Sequence, residues 1–344
     1  LSKELNMSNR KDDHIYSALK QQHVTNDFDK VRLLSNSLCS VDVQDVDISV
    51  SMFGHTFQTP IYINAMSGGS DLSKEVNQKL SFIARTFGFP MATGSLSAAI
   101  KDAQWNDSFQ VINHELNEGF KIANIGLSRS KEDAQKAIDI LDADVLQIHL
   151  NAAQEITMPE GDRAFKHWKD RLVEIIEFVH VPIIVKEVGF GMSRETVETL
   201  QSIGVKYVDV SGKGGTNFIS IENDRRDNRL LSFESYGIST VESLLDNQNH
   251  KNVHIFASGG IRDAYDIVKA LALGAHMVGL SGYFLKLVMT HDMDKSIQLV
   301  KELIDDVKGI MAVLNASSIA SLKEVDKIFD QDLINFINQR KKGK

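Results

Sequence analysis

Eight short runs of β-branched and apolar residues recur along the chain, each running out into glycine or small polar residues. They occupy 61–64, 90–93, 122–125, 145–149, 183–186, 207–210, 254–257 and 276–280. Helical periodicity fills the intervals at 73–87, 133–140, 170–178, 193–203, 239–245 and 263–273. Ser193, Ser239 and Asp263 stand where N-caps belong, and Gly88, Gly204 and Gly274 where glycines close helices. Strands that are almost continuously apolar and alternate with helices imply a parallel sheet covered on both faces. Eight such units imply closure into a (β/α)8 TIM barrel, an α/β fold. The rival, a doubly wound sheet, would more often show G-x-G-x-x-G after its first strand, and Ser67-Gly68-Gly69 does not match that pattern.

Residues 1–60 fall outside the eight units and read as an N-terminal arm. A helix is expected at 12–22, followed by a strand in which Val41, Val43, Val46, Ile48 and Val50 alternate. The arm could cap the bottom of the barrel or reach a neighbouring subunit. The barrel domain is then 61–344. It includes a charged segment at 217–236 that is poor in core residues, and a structureless loop of that length often serves as a lid. The closing Lys341-Lys342-Gly343-Lys344 reads as a solvated end.

Composition excludes several classes. A net charge of −8 argues against nucleic acid as a partner, so any anionic ligand must be met by local positive charge. The most apolar stretch, 267–289, carries Lys269, His276 and Lys286, which makes it barrel core rather than a membrane span. Residues 1–9 are polar, so no secretory leader is expected, and the single cysteine, Cys39, suits a cytoplasmic protein. One cysteine also excludes a disulfide framework, a cysteine zinc site and a thiol relay.

In a barrel of this kind the chemistry sits at the C-terminal ends of the strands. Ser258-Gly259-Gly260-Ile261-Arg262 after the seventh strand and Ser281-Gly282 after the eighth supply backbone N–H groups and a guanidinium. Such loops bind phosphate in many barrels, although the glycines could simply make tight turns. Lys186 closes an apolar run and faces the mouth, where it could hold an electron-rich ring or an anion, or pair with Glu187. Gln147, His149 and Asn151 alternate and so share the inner face, while Leu146, Ile148 and Leu150 face outward. Gln154 and Glu155 lie just beyond, and a carboxylate at the mouth of a phosphate-binding barrel is a natural Mg²⁺ ligand. Arg10, Lys11 and His14 form a basic cluster that by itself reads as a solvated end.

Taken together these motifs resemble the type 2 isopentenyl diphosphate isomerases, an FMN-dependent barrel family. The specific elements are Asn64-Ala65-Met66-Ser67-Gly68-Gly69, the run from Gln147 to Glu155, the run from Ser211 to Phe218, and Pro159-Glu160-Gly161-Asp162-Arg163. The resemblance implies that Ala65, Met66, Ser67, Ser95, Asn124, Lys186, Ser211 and Thr216 contact flavin and its ribityl chain. It implies that Gly259, Gly260, Ile261, Arg262, Ser281 and Gly282 hold the FMN phosphate. Arg10, Lys11, Ser95, Leu96, Ser97 and Gln154 would meet the substrate, with His149, Asn151 and Gln154 in the catalytic set and Glu155 on Mg²⁺. One departure stands out: Leu96 and Ser97 follow Ser95 where the family usually carries a glutamine.

The implied reaction interconverts isopentenyl and dimethylallyl diphosphate by a 1,3-proton shift. Reduced FMN would act as acid and base, with NADPH (or NADH) keeping the flavin reduced, and a homo-tetramer or homo-octamer is implied. The first rival is an FMN-dependent 2-hydroxy-acid oxidase. Its base and its carboxylate-binding arginine would stand just after the sixth strand, where this chain has Lys213 and Thr216. An inosinate-dehydrogenase-like enzyme would need a cysteine in a barrel loop, and Cys39 lies in the arm. A non-catalytic barrel that binds a phosphorylated ligand would leave Lys186, Gln154 and Glu155 without a task.

Overall fold

The computed structural model describes residues 7–21, 25–66, 68–248 and 250–342, with the backbone alone for 7–11, 13, 14 and 342. Eight parallel strands close into a barrel: β1 (Ile61–Ile63), β2 (Met91–Ala92), β3 (Lys121–Gly126), β4 (Val145–Leu150), β5 (Ile183–Glu187), β6 (Tyr207–Asp209), β7 (His254–Ser258) and β8 (Met277–Leu280). Each expected run contributes one strand, and β8 returns to β1 through Val278 opposite Ile61. The expected caps are made. Ser193, Ser239 and Asp263 accept from the N–H groups of Thr196, Glu242 and Asp266, and Gly88 closes its helix in the left-handed region. The apolar stretch at 267–289 divides between the helix Ala264–Ala272, β8 and the helix Gly282–Thr290. Among the described residues no helix is long and apolar enough to cross a membrane.

The barrel interior changes chemistry one layer up from the bottom. Tyr62, Ala92, Ile122, Val145, Ile184, Phe256 and Met277 form an apolar layer sealed by Met52 and Phe57. Two residues further along the same strands stand Asn64, Asn124, Gln147, Lys186 and Ser258, all buried. Because side chains alternate along a strand, the outward residues Leu146 and Ile148 pack instead beneath the surrounding helices.

The seal is a hairpin in the arm, Val50–Met52 paired antiparallel with His55–Phe57. Phe53 and Gly54 turn it with both φ values positive, +56° and +78°, as a two-residue hairpin turn requires. The longer strand expected from the alternation at 41–50 does not form. Val43–Asp45 is a 3-10 turn with Val43 exposed, and the Asp47 carboxylate accepts from the N–H of Ser49 two residues on, which draws the backbone out of a ladder. Val46 and Ile48 are still buried, so the alternation records packing rather than pairing. A second arm strand, Val31–Leu33, pairs antiparallel with Lys327–Phe329 near the end of the chain.

The segment at 217–236 is not a structureless loop. It holds the short helices Phe218–Asn223 and Leu231–Glu234, and Ile219, Ile221, Glu222 and Asn223 are buried. The arm helix begins earlier than expected, running Met7–Lys20.

The hairpin seal makes a stability prediction. Phe57 is buried and meets Phe120 edge-on at 5.0 Å. Phe57→Ala should cost about 3–5 kcal/mol in urea unfolding, with the cavity at the opposite end of the barrel unaffected. A denaturation midpoint equal to that of the parent chain would show that the hairpin is dispensable to the core.

Candidate functional site

Two cavities open at the C-terminal ends of the strands. The larger, about 770 Å³, is walled by Gly214, Gly215, Thr216 and Asn217 after β6, by Gly282 and Lys286 after β8, and by Lys20 and Gln21 at the end of the arm helix. The loops after β6 and β7 pack backbone to backbone. A Cβ on Gly259, at φ +89°, would stand 2.1 Å from the Gly212 carbonyl oxygen, so that glycine is demanded by packing. Gly282 differs: a Cβ there would meet nothing within 4 Å. It opens the helix Gly282–Thr290, whose first N–H groups have no partners within the helix. A glycine-lined hollow at a helix N-terminus with Lys213, Lys20 and Lys286 around it suits a phosphate.

Arg262 does not join that hollow. Its guanidinium reaches Asp266, with Nε 2.7 Å from the carboxylate, and Asp29 of the arm, with Nη2 at 2.5 Å. These two carboxylates hold its pKa well above the ordinary arginine value. These pairings hold the guanidinium of Arg262 between the arm and the helix that follows the seventh strand. Ile261 is buried in the core, so its side chain is equally uncommitted to a ligand. A residue the sequence reading missed, Asn26, ties the arm to both glycine loops, donating to the Gly260 carbonyl at 2.7 Å and to that of Gly214 at 3.5 Å.

The second cavity, about 460 Å³, gathers most of the remaining candidates. Ala65, Met66, Ser95, Ser97, Asn124, His149, Asn151, Gln154, Glu155 and Lys186 all line it. Ser67 and the side chains of Arg10 and Lys11 lie outside the described residues. Leu96 does not line either cavity: its side chain is fully buried in the core, and its N–H donates to the Asn124 carbonyl. Glu160 and Asp162, read from the sequence only as part of a motif, also line the chamber, as do Lys101 and Arg129, which were not singled out. Arg129 Nε donates to Ser97 Oγ at 3.1 Å. Its position three residues past the end of β3 was the available signal.

A buried carboxylate, Asp209 at the end of β6, sits beneath the chamber. Tyr62 donates to it at 2.7 Å, Asn64 at 2.8 Å, Ser258 at 2.8 and 2.9 Å, and the Ser211 N–H at 3.1 Å. Lys186 stands opposite Asp209 in register, and its Nζ donates to Ser211 Oγ at 3.0 Å and to the Glu187 carbonyl at 2.7 Å. Ser211 sits at φ +34°, unusual for a residue with a side chain. Burial pushes the Lys186 ammonium below the ordinary lysine value, against the opposing pull of Asp209 and Glu187. Burial likewise raises the Glu187 carboxyl to about 8, although the Phe190 and Val188 N–H groups donate to it at 2.6 Å.

At the mouth, Glu155 accepts from Asn151 Nδ2 at 2.8 Å on one oxygen and from the Asp162 N–H at 2.8 Å on the other. Gln154 donates to the buried carboxylate of Glu222 at 3.2 Å, and Glu222 pairs with Arg225. Among the described residues no three histidine, cysteine or acidic side chains cluster as a self-sufficient metal site. A cation at Glu155 would therefore complete its shell with ligand oxygens and water, which is how Mg²⁺ commonly binds.

Comparison with known proteins agrees with this architecture. The family model for FMN-dependent dehydrogenase matches residues 113–327. An isopentenyl-diphosphate delta-isomerase of Latilactobacillus sakei is 46% identical over 97% of this chain and 96% of its own. The protein of that name from Staphylococcus haemolyticus is 44% identical over 96% of each. A doubly substituted flavocytochrome b2 with sulfite bound shares the fold at a TM-score of 0.69, with 22% identity over 95% of this chain and 84% of that one. A barrel whose strand ends carry these side chains, matched across nearly its whole length at this identity, belongs to the type 2 isopentenyl-diphosphate delta-isomerase family within the FMN-dependent dehydrogenase barrels.

Proposed function

We propose that this chain interconverts isopentenyl diphosphate and dimethylallyl diphosphate on reduced FMN, with Mg²⁺ on the diphosphate and NADPH or NADH supplying the reduction. The observation that carries the reading is the make-up of one chamber, with Lys186 and Met66 at its floor and Glu155, Gln154, His149 and Asn151 at its mouth. The glycine hollow lies on the same rim, its Gly189 and Asn217 next in sequence to the chamber's Val188 and Phe218, as a flavin mononucleotide with its phosphate in one and its ring in the other would need. The fit is specific in two places: Gly282 leaves open space at a helix N-terminus, and the buried Lys186 ammonium looks into the chamber.

Bound and reduced, FMN supplies the acid and base for moving a proton on and off an unactivated alkene. The protein supplies the surroundings. Ala65, Met66, Ser95, Asn124, Lys186 and Thr216 hold the flavin and its ribityl chain, and the N–H groups of Gly215 and Gly282 hold its phosphate. The 2-hydroxy-acid oxidase reading lacks its carriers. Lys213, in the place of the base, is an ammonium that donates to the Ser235 carbonyl at 2.9 Å and has no lone pair with which to take a proton.

For the substrate, the chamber divides by polarity. Val188, Phe218, Met66 and Ala98 offer apolar wall for a hydrocarbon. Lys101, Arg129, His149, Ser97 and Asn151 offer donors to a diphosphate, and Glu155 shares a divalent cation with it. Arg10 and Lys11 on the arm helix add charge from the arm. Anchoring the diphosphate fixes where the alkene lies, and that positioning is the larger part of what the side chains contribute.

The decisive assay is anaerobic incubation of the purified protein with FMN, NADPH, Mg²⁺ and isopentenyl diphosphate. Dimethylallyl diphosphate should form only when the flavin is reduced. A protein that binds and reduces FMN yet forms no product would retain the flavin site and lose the substrate. Glu155→Gln should lower turnover by at least about 10–100-fold and raise the Mg²⁺ requirement while FMN content stays at one per chain. Unchanged turnover would remove Glu155 from the site. Arg10→Ala should raise KM about 10-fold, as loss of one charged contact does, without altering flavin content. Loss of FMN instead would assign the arm to the cofactor.

A further inference from the structure

Four side-chain hydrogen bonds lead from the buried Asp209 carboxylate to His149 at the chamber. Asn64 Nδ2 donates to Asp209 at 2.8 Å, and Gln147 Nε2 donates to Asn64 Oδ1 at 3.2 Å. Asn124 Nδ2 donates to Gln147 Oε1 at 2.7 Å, and His149 Nδ1 stands 2.9 Å from Asn124 Oδ1. Asn64, Gln147 and Asn124 are buried at 1, 0 and 2% exposure, so water does not compete for these bonds.

The direction of the chain is fixed at its start by two independent groups. A backbone N–H can only donate, and that of Ala65 meets Asn64 Oδ1 at 2.8 Å. The carboxylate of Asp209 on the other side of the same amide accepts. Asn64 can therefore be placed only one way round. Its oxygen then requires the Gln147 amide nitrogen, which turns the Gln147 oxygen toward Asn124. That oxygen requires the Asn124 nitrogen, leaving the Asn124 oxygen for the imidazole. A ring nitrogen facing an amide oxygen must carry hydrogen. Each amide has one orientation that satisfies both neighbours, and reversing any of them sets donor against donor or acceptor against acceptor in a dry interior.

We infer that Asp209, Asn64, Gln147 and Asn124 act as positioning residues that hold His149 with hydrogen on Nδ1, so that Nε2 is the nitrogen whose protonation is left to change. The inference deepens the proposed function and rests on its reading of His149 as a diphosphate contact. With Nδ1–H committed to Asn124, Nε2 of the neutral ring is an acceptor, and only the imidazolium presents a second N–H without breaking the chain. A diphosphate oxygen therefore selects the protonated ring, while a ring free to exchange tautomers could donate to the same oxygen uncharged. The same carboxylate also holds Ser211 by its N–H, and through Ser211 Oγ the Lys186 ammonium. One buried group thus orients a cation under the flavin site and an imidazole at the substrate site.

The test reads the tautomer directly. The FMN-loaded protein is labelled with ¹⁵N-histidine, and the His149 ring signals are identified by their loss in His149→Gln. At alkaline pH, where the ring is neutral, the expected form is Nδ1–H alone. An Nε2–H ring in the parent protein overturns the inference, whatever the isomerase assay shows. Gln147→Met keeps the volume and cuts the chain. It should give a mixture of tautomers and raise KM for isopentenyl diphosphate about 10-fold, with kcat and FMN content close to the parent values. An unchanged Nδ1–H ring in Gln147→Met would show that the chain does not set it. A fully inactive isomerase with the expected tautomers would instead retire the substrate reading and leave the hydrogen-bond chain standing.

Discussion

A carboxylate buried on the inner face of a barrel must be surrounded by donors, and much of this site follows from satisfying one. Asp209 is fully buried, and removing such a group from water without partners would cost several kcal/mol. The barrel answers with Tyr62, Asn64, Ser258 and the Ser211 N–H. Each of those residues is thereby fixed in rotamer and in hydrogen-bond direction. The strand register does the rest, because Lys186 lies opposite Asp209 and His149 opposite Lys186 on adjacent strands. The polar layer is rigid because it has few alternative ways to be satisfied.

That layer needs a floor. Without the hairpin's Met52 and Phe57, the aromatic and aliphatic side chains at the lower ends of the strands would face water, and so would the polar residues one step above them. The arm thus acts at both ends of the barrel. Its hairpin closes the bottom, while Asn26 bridges the two glycine loops at the top and Gln21 bonds the backbone of Asn217 in both directions. Asp29 completes this work by holding the Arg262 guanidinium. In a chain of net charge −8, Lys20, Lys213 and Lys286 converge beside Glu234 where the arm, the β6 loop and the helix after β8 meet, which is local positive charge of the kind an anion would need.

The fold was legible because parallel strands buried on both faces leave a plain hydrophobic record, and all eight were readable at their true positions. Period-two reasoning also placed Gln147 and His149 inward correctly. It failed at 41–50, where the same spacing of valines arises from an irregular segment in which Asp47 bonds the backbone two residues on. Strand-end residues could be collected from sequence, but their partners could not. Nothing adjacent to Arg262 in sequence forecasts Asp29, which is 233 residues away. Leu96 illustrates the same limit, since its place in a ligand-binding stretch says nothing of which way the side chain turns. Asp209 itself was overlooked because it stands in an apolar strand, and a lone acid there acquires meaning only from β1, β5 and β7 around it.

Leu96 and Ser97 shape one wall of the chamber by turning opposite ways. Leu96 withdraws into the core, while Ser97 faces the chamber and takes a hydrogen bond from Arg129. Ser95 Oγ in turn donates to Ser97 Oγ at 3.0 Å. Two short hydroxyls and a guanidinium reaching in from the next strand end thus make up that wall. Arg129 and Lys101 give that wall its positive charge. Opposite it, Glu155 is the acid presented by the short helix Ala152–Thr157, and its two oxygens are steadied by Asn151 and by the Asp162 N–H. A cavity with a cationic wall facing a fixed carboxylate favours a ligand that is itself an anion carrying a divalent cation. A bare carboxylate substrate would satisfy the first wall and be repelled by the second. The charge layout therefore argues for a diphosphate over a hydroxy acid independently of sequence identity, from the disposition of a few side chains at the mouth of the barrel.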